Sequence, residues 1–112
     1  RIGPFSYLRD GAILKDDVVL GVFTEVKNST LSEGVRARHH SFIGDATIGR
    51  NVNIGAGAIT ANYDGVKIHK SQIGDDTYIG PGTIIVAPIN VPAGCHLKAG
   101  SVVNADDIKK EQ

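Results

Sequence analysis

The chain has 112 residues, twelve basic and twelve acidic, so its formal charge at neutral pH is zero. That length allows one domain, since compact domains usually run to about 100 to 150 residues, and the charge balance leaves no overall field to gather nucleic acid or an anionic membrane. One cysteine, Cys95, excludes an internal disulfide framework, and no apolar run approaches the roughly 20 residues needed to cross a bilayer.

No secretory signal is present, so a soluble protein of the reducing cytoplasm is expected. Glycine is abundant and aromatics are scarce, which suits a chain that turns often and stacks aliphatic side chains. From the N-terminus aliphatic residues recur at every sixth position: Ile2, Leu8, Leu14, Leu20 and Val26. Glycine follows some of them, as at Gly3 and Gly21, and small residues such as Ser6, Ala12 and Thr24 stand two places before. A helix does not give this pattern, because six residues advance about 600° and smear the aliphatics around the cylinder. Short strands joined by corners do. Three hexapeptides make a triangular coil of about 18 residues, and successive coils stack about 4.8 Å apart as parallel strands. An all-β parallel β-helix of about six coils is predicted for residues 1–103, with aliphatic columns inside the prism.

The register lapses between Val26 and Ile43, where an outward loop is predicted. It resumes at Ile43, Ile48 and Ile54, then lapses again before Ile73. The second gap, TANYDGVKIHKSQ, carries the turn signal Asp64-Gly65 and many polar and basic residues, so a protruding loop is predicted there. Loops off a rigid prism are natural places for chemistry. Ile73, Ile79, Ile85, Val91, Leu97 and Val103 complete the series. Residues 104–112, NADDIKKEQ, lose the period and are predicted to form a charged, solvated tail with little structure of its own, placed to cap the last coil. The chain enters in mid-pattern and has no methionine, so Arg1 is expected to be a cut end, with coils missing upstream or another subunit covering that face.

The runs EVKN, NVNIGAG and ITANYDG stand within the strings IGPFSYLRDGA, FTEVKNSTL, RHHSFIGDATIGRNVNIGAGAITANYDG and IGDDTYIGPGTIIVAPINV. Together they resemble the acetyltransferase domain of the GlmU family of bifunctional glucosamine-1-phosphate acetyltransferases and N-acetylglucosamine-1-phosphate uridylyltransferases. The resemblance covers about Ile2 to Val103 and implies a left-handed β-helix, a handedness that periodicity leaves open because parallel crossovers are nearly always right-handed. It further implies a homotrimer with acetyl-CoA lying along the prism between subunits, and transfer of acetyl to the amino group of glucosamine 1-phosphate. The uridylyltransferase domain has no counterpart in this sequence.

Acetylating an amine needs a base, and a histidine with a pKa near 6.5 accepts a proton at neutral pH. His39 matches the family's catalytic position; without that match it reads as a surface histidine beside His40. Neighbouring strand residues face opposite sides, so His40 is expected to be exposed. Arg9 and Lys27 match the family's phosphate and sugar contacts and stand one full coil of three hexapeptides apart, so they are expected to stack as two cations for a dianion. The plain alternative is a pair of solvated charges. Glu25 is expected on the same face, orienting Lys27 or the substrate amine. Asn53, Asn62 and Tyr63 match positions that contact substrate or the acetyl end of the cofactor. A corner hydrogen bond for Asn53 and a simple turn for NYDG are the structural alternatives. Ala56 and Ala99 match cofactor-lining positions, or are small because packing requires it.

Some positions depart from the family. Phe42 replaces a tyrosine that contacts the sugar, and Pro81 replaces a serine that contacts the cofactor. The loop lysine is displaced: Ile68 holds its position, Lys67 precedes it, and Lys70 still matches. The family's C-terminal arginine falls beyond Gln112. Cys95 is expected to be a packed thiol, with His69 in the loop and His96 on an outer face. A zinc enzyme of the γ-carbonic anhydrase kind and a non-catalytic trimeric scaffold are the competing readings. No two histidines have the i, i+5 spacing of that zinc site, so no metal site is predicted.

Overall fold

In a computed structural model the described residues are 1–110. The first coils contain β1 (Tyr7–Leu8), β2 (Ile13–Leu14), β3 (Val19–Val22), β4 (Glu25–Lys27), β5 (Thr30–Leu31) and β6 (Arg36–His39). The middle coils contain β7 (Phe42–Gly44), β8 (Ala46–Ile48), β9 (Asn53–Ile54), β10 (Ile59–Ala61), β11 (Ser71–Ile73) and β12 (Tyr78–Ile79). Strands β13 (Ile84–Val86), β14 (Ile89–Val91), β15 (His96–Leu97) and β16 (Val102–Val103) follow, then helix α1 (Ala105–Lys110).

Each strand pairs in parallel with the strand three places later, so the chain deals its strands in rotation to three faces. Face one holds β1-β4-β7-β10-β13-β16, face two β2-β5-β8-β11-β14, and face three β3-β6-β9-β12-β15. The result is a three-sided parallel β-helix of five full turns with a sixth strand on face one, slightly fewer than the six coils expected. Its inward residues stack in columns, and Val26, Leu31, Val35, Ala37, Val52 and Val91 have no exposed surface. Burying each of these valine and leucine side chains stabilises the fold by about 1.5 to 3 kcal/mol. At the first rung the same columns are open, with Ile2 52% and Leu8 40% exposed.

The register explains both lapses in the period. On face one, Leu8 pairs with Val26, three whole hexapeptides further on, but the pairs Val26 with Ile43 and Phe42 with Ile59 each fall one position short of that distance. The missing position comes from the corner between faces one and two, where Val26 to Leu31 and Ile43 to Ile48 are five-residue steps. The loop expected between Val26 and Ile43 is therefore absent: β5 and β6 fill that stretch, and a deletion at a corner had shifted the register. The second lapse is the predicted loop. Thr60 pairs with Ile85, well beyond the length of one coil, and the surplus leaves at that same corner between β10 and β11.

Corners need left-handed backbone, and the positive-φ residues form one column per edge of the prism. Gly11, Asn28 and Asp45 mark the edge between faces one and two. Asp17, Gly34, Asn51, Asp76 and Gly94 mark the edge between faces two and three. Asn and Asp tolerate this conformation, but bulky side chains resist it. The remaining edge carries Phe5, Phe23 and His40 before Gly57, Gly82 and Gly100, and the rings of Phe5 and Phe23 stack at 5.8 Å.

The tail differs from expectation. Asn104 and Asp107 exchange backbone-to-side-chain hydrogen bonds of 2.9 and 3.1 Å, a capping box that starts α1, and Ile108 is buried. Residues 111–112 of the predicted tail lie outside the described residues. Among the described residues no helix is long and apolar enough to cross a membrane.

Candidate active site

Face one positions most of the candidate residues. Tyr7, Glu25, Phe42 and Ile59 form its outward column by register. Arg9 and Lys27 follow β1 and end β4, one rung apart as predicted, at the edge shared with face two; the Arg9 N–H donates to the Val26 carbonyl at 2.8 Å. Both cations already have carboxylate partners. Arg9 Nη1 meets Glu25 Oε2 at 3.0 Å, and Lys27 Nζ meets Asp45 Oδ2 at 3.0 Å. Glu25 thus pairs with Arg9 on the neighbouring rung, and its expected contact to Lys27 is not formed, because Lys27 turns toward the corner.

Asp45 gathers that corner. Its side chain is only 5% exposed. Asn28 Nδ2 donates to Oδ1 at 2.8 Å, and Asn62 Nδ2 donates to Oδ2 at 2.7 Å, beside Lys27. Burial alone would push the Asp45 carboxyl up; the hydrogen bonds from Asn28, Asn62 and Lys27, with the Lys27 charge, outweigh it and hold the group below the usual aspartate value. A cleft of about 670 Å³ opens beside this cluster, walled by Tyr7, Arg9, Lys27, Asn28, Asp45 and Ile68.

The opposite edge of face one carries the second group. His39 ends β6 opposite Val22, and the registers Ala37–Ile54, Ile54–Ile79 and Ile79–Leu97 carry its position up the rod to Ala56, Pro81 and Ala99. These four residues form one exposed ladder. Its rungs are tied by the Gly82 N–H to the Ala56 carbonyl and the Gly100 N–H to the Pro81 carbonyl, both 2.8 Å. His40 occupies the corner, exposed, with its ring edge-on to Phe23 at 6.3 Å. Asn53 opens β9 on the outside of face three, between Arg36 and Tyr78 and just past the corner at Asn51.

The loop is a small hairpin built on Asp64. Its Oδ1 accepts the Val66 and Lys67 N–H groups at 2.8 and 2.7 Å, and its Oδ2 meets His69 Nε2 at 2.7 Å. Tyr63 bridges to Ile68 and donates its hydroxyl to the Gly65 carbonyl at 2.9 Å. Ile68 walls the cleft and Lys67 does not. Asn62 and Tyr63 therefore stand across face one from Ala56, Pro81 and Ala99, so one chain does not bring the candidate cofactor residues together. Cys95 is free and partly buried against the core, and His96 stacks on Tyr78 at 4.5 Å. Among the described residues no three His, Cys, Asp or Glu side chains gather within the chain to hold a metal ion.

Sequence reasoning missed Asn28 and Asp45. A signal existed: Asn28, Asp45 and Asn62 follow one another at a spacing of 17, the length of the shortened coils, and carry side chains that suit a left-handed corner.

A triangular parallel prism of six-residue faces defines a class, and this chain belongs to it: it is a hexapeptide-repeat protein, matching the hexapeptide repeat of succinyl-transferase over residues 46–69 and 72–105. It is similar to the bifunctional protein GlmU of Nitrosospira multiformis, with 49% identity over 106 residues, which are 95% of this chain and 23% of that protein. The bifunctional protein GlmU of Thermotoga petrophila is 50% identical over 105 residues, 94% of this chain and 24% of that protein. The chain thus spans about a quarter of the length of these curated relatives. The acetyltransferase domain of PglB from Neisseria gonorrhoeae has the same fold, with a TM-score of 0.64 over 94% of this chain and 54% of that one at 22% identity.

Proposed function

We propose that the chain is an acetyl-CoA-dependent N-acetyltransferase for an amino sugar phosphate, glucosamine 1-phosphate above all, acting as a cytoplasmic homotrimer. The observation that carries the reading is the division of face one: His39 joins the Ala56–Pro81–Ala99 ladder on one edge, and the cations Arg9 and Lys27 stand on the other. The sequence similarity to GlmU proteins supports it independently.

In this reading acetyl-CoA runs along the ladder with its thioester beside His39, and the sugar lies across Glu25 and Phe42 with its phosphate toward Arg9 and Lys27. His39 takes a proton from the substrate ammonium. The freed lone pair attacks the thioester carbonyl, the carbon–sulfur bond breaks, and CoA leaves as a thiolate that takes up the surplus proton of the acylated nitrogen, giving the acetamide and free CoA, while His39 returns its own proton to solvent. Arg9 is already paired with Glu25, so the phosphate displaces Glu25, whose carboxylate turns to the incoming ammonium. Asn62 and Tyr63, on the far edge, serve the cofactor held by a neighbouring copy.

The test is thiol release from acetyl-CoA with a panel of amino sugars, each with and without phosphate. Release is expected with glucosamine 1-phosphate, and His39→Ala is expected to slow it by about 100-fold or more, the scale for losing a general base. No release with any acceptor removes the enzyme reading and leaves the scaffold. Undiminished release in the variant removes His39 as the base.

A further inference from the structure

Asp45 links three polar side chains at the edge between faces one and two. Its side chain accepts from Lys27, Asn28 and Asn62. Its backbone N–H donates to the Lys27 carbonyl at 2.9 Å, and its carbonyl accepts the Ser71 N–H at 3.1 Å. Asn62 and Ser71 are the entry to and exit from the loop, so one residue clamps both loop ends and the lysine one rung below.

We infer that Asp45 is the positioning residue of the site, fixing the Lys27 ammonium at the cleft wall and tying it to the loop base through Asn62. The inference rests on the proposed acetyl transfer and adds to it a residue that holds the substrate cation in place. Only a carboxylate fits the pattern, because both oxygens must accept; an asparagine there would aim its amide hydrogens at one of the existing donors. The alternative is that Asp45 simply neutralises Lys27. The two accounts differ in sign. Loss of a neutraliser strengthens phosphate binding, whereas loss of a positioning group frees a flexible ammonium and weakens it.

The experiment is steady-state thiol release by Asp45→Asn with glucosamine 1-phosphate and acetyl-CoA varied in turn, after a thermal melt to establish folding. KM for the sugar phosphate is expected to rise by about tenfold or more with kcat changed by less than about threefold. In a Lys27→Gln background the same change is expected to add nothing, because Asp45 acts through Lys27. An unchanged or lowered KM in Asp45→Asn overturns the inference, as do effects that multiply in the double variant. Should Asp45→Asn not fold, Asn62→Ala tests the same link: it is expected to raise the sugar-phosphate KM in the wild type and not in Lys27→Gln, and an equal rise in both backgrounds overturns the inference. A wild-type chain without thiol release refutes the underlying activity and this inference with it; an active wild type with indifferent variants refutes only the role of Asp45.

Discussion

Gly21 and Gly44 both follow an inward aliphatic residue, yet a methyl group added at each meets different matter. At Gly21 it falls on the Arg38 carbonyl, backbone of the next rung that has nowhere to go. At Gly44 it meets the Phe42 ring at 2.6 Å and the Asn62 amide at 2.7 Å, side-chain ends that swing aside. Gly21→Ala is expected to cost about 3 kcal/mol or more of stability, seen as a large drop in Tm. Gly44→Ala is expected to melt close to the wild type but to raise the sugar-phosphate KM, because the displaced Phe42 and Asn62 border the proposed site. Equal melting losses in the two variants would contradict this assignment. The same contrast shows what was legible at this scale. The stacking of Arg9 on Lys27 was legible because a repeat converts sequence position into an edge of the prism, whereas His39, Ala56, Pro81 and Ala99 stood out only through the family resemblance. The partners of the side chains were not legible: Arg9 reaches forward along the chain to Glu25 and Lys27 to Asp45, and which rung a flexible cation chooses depends on packing that the period does not encode.

Among the elements, the strands follow from the alternation of inward and outward residues, whereas the corners depend on single residues. One deleted residue at the corner between β4 and β5 looked in the sequence like an inserted loop, since either one breaks a six-residue count. The true loop was legible from its length and from Asp64-Gly65, but not that the Asp64 carboxylate would gather the Val66 and Lys67 N–H groups and the His69 ring. Hydrogen bonds from the Lys67 N–H, the His69 ring and the Val66 N–H hold that carboxyl down at about 2, against an ordinary value of 3.8. A group whose folded value lies below its unfolded value supports the closed form fully above the unfolded value and loses that support as pH falls through the folded one. The hairpin is therefore expected to stay closed down to about pH 4 and to open as pH falls through about 2. Amide chemical shifts of Val66 and Lys67 followed through an acid titration measure this directly. A midpoint near the ordinary aspartate value, or amides of Asp64→Ala that keep their wild-type shifts at neutral pH, would show that Asp64 does not hold the loop.

For the whole molecule, the prism is a rigid spacer that separates two sets of residues by the width of a face. The ladder of His39, Ala56, Pro81 and Ala99 and the loop residue Tyr63 lie on opposite edges, and β-strands do not bend to bring them together. A cofactor that touches both sets must lie between two copies, each giving a different edge, and such a head-to-tail contact closes into a ring when the rotation permits. Three-sided rods related by a threefold axis meet this condition, which is why the trimer belongs to the functional proposal. The consequence is complementation between inactive chains. Take His39→Ala, defective on the ladder edge, and Tyr63→Ala, defective in the loop and expected to be weak at low acetyl-CoA. Each homotrimer has three damaged sites. When the two are mixed in equal amounts, unfolded and refolded together, some sites unite an intact ladder from one chain with an intact loop from its neighbour, and random assembly makes about a quarter of all sites wild-type. Thiol release by the refolded mixture is thus expected to exceed that of either variant alone and to approach about a quarter of the wild-type rate. If each site were built within one chain, every site in the mixture would carry one defect or the other, and refolding together would restore nothing.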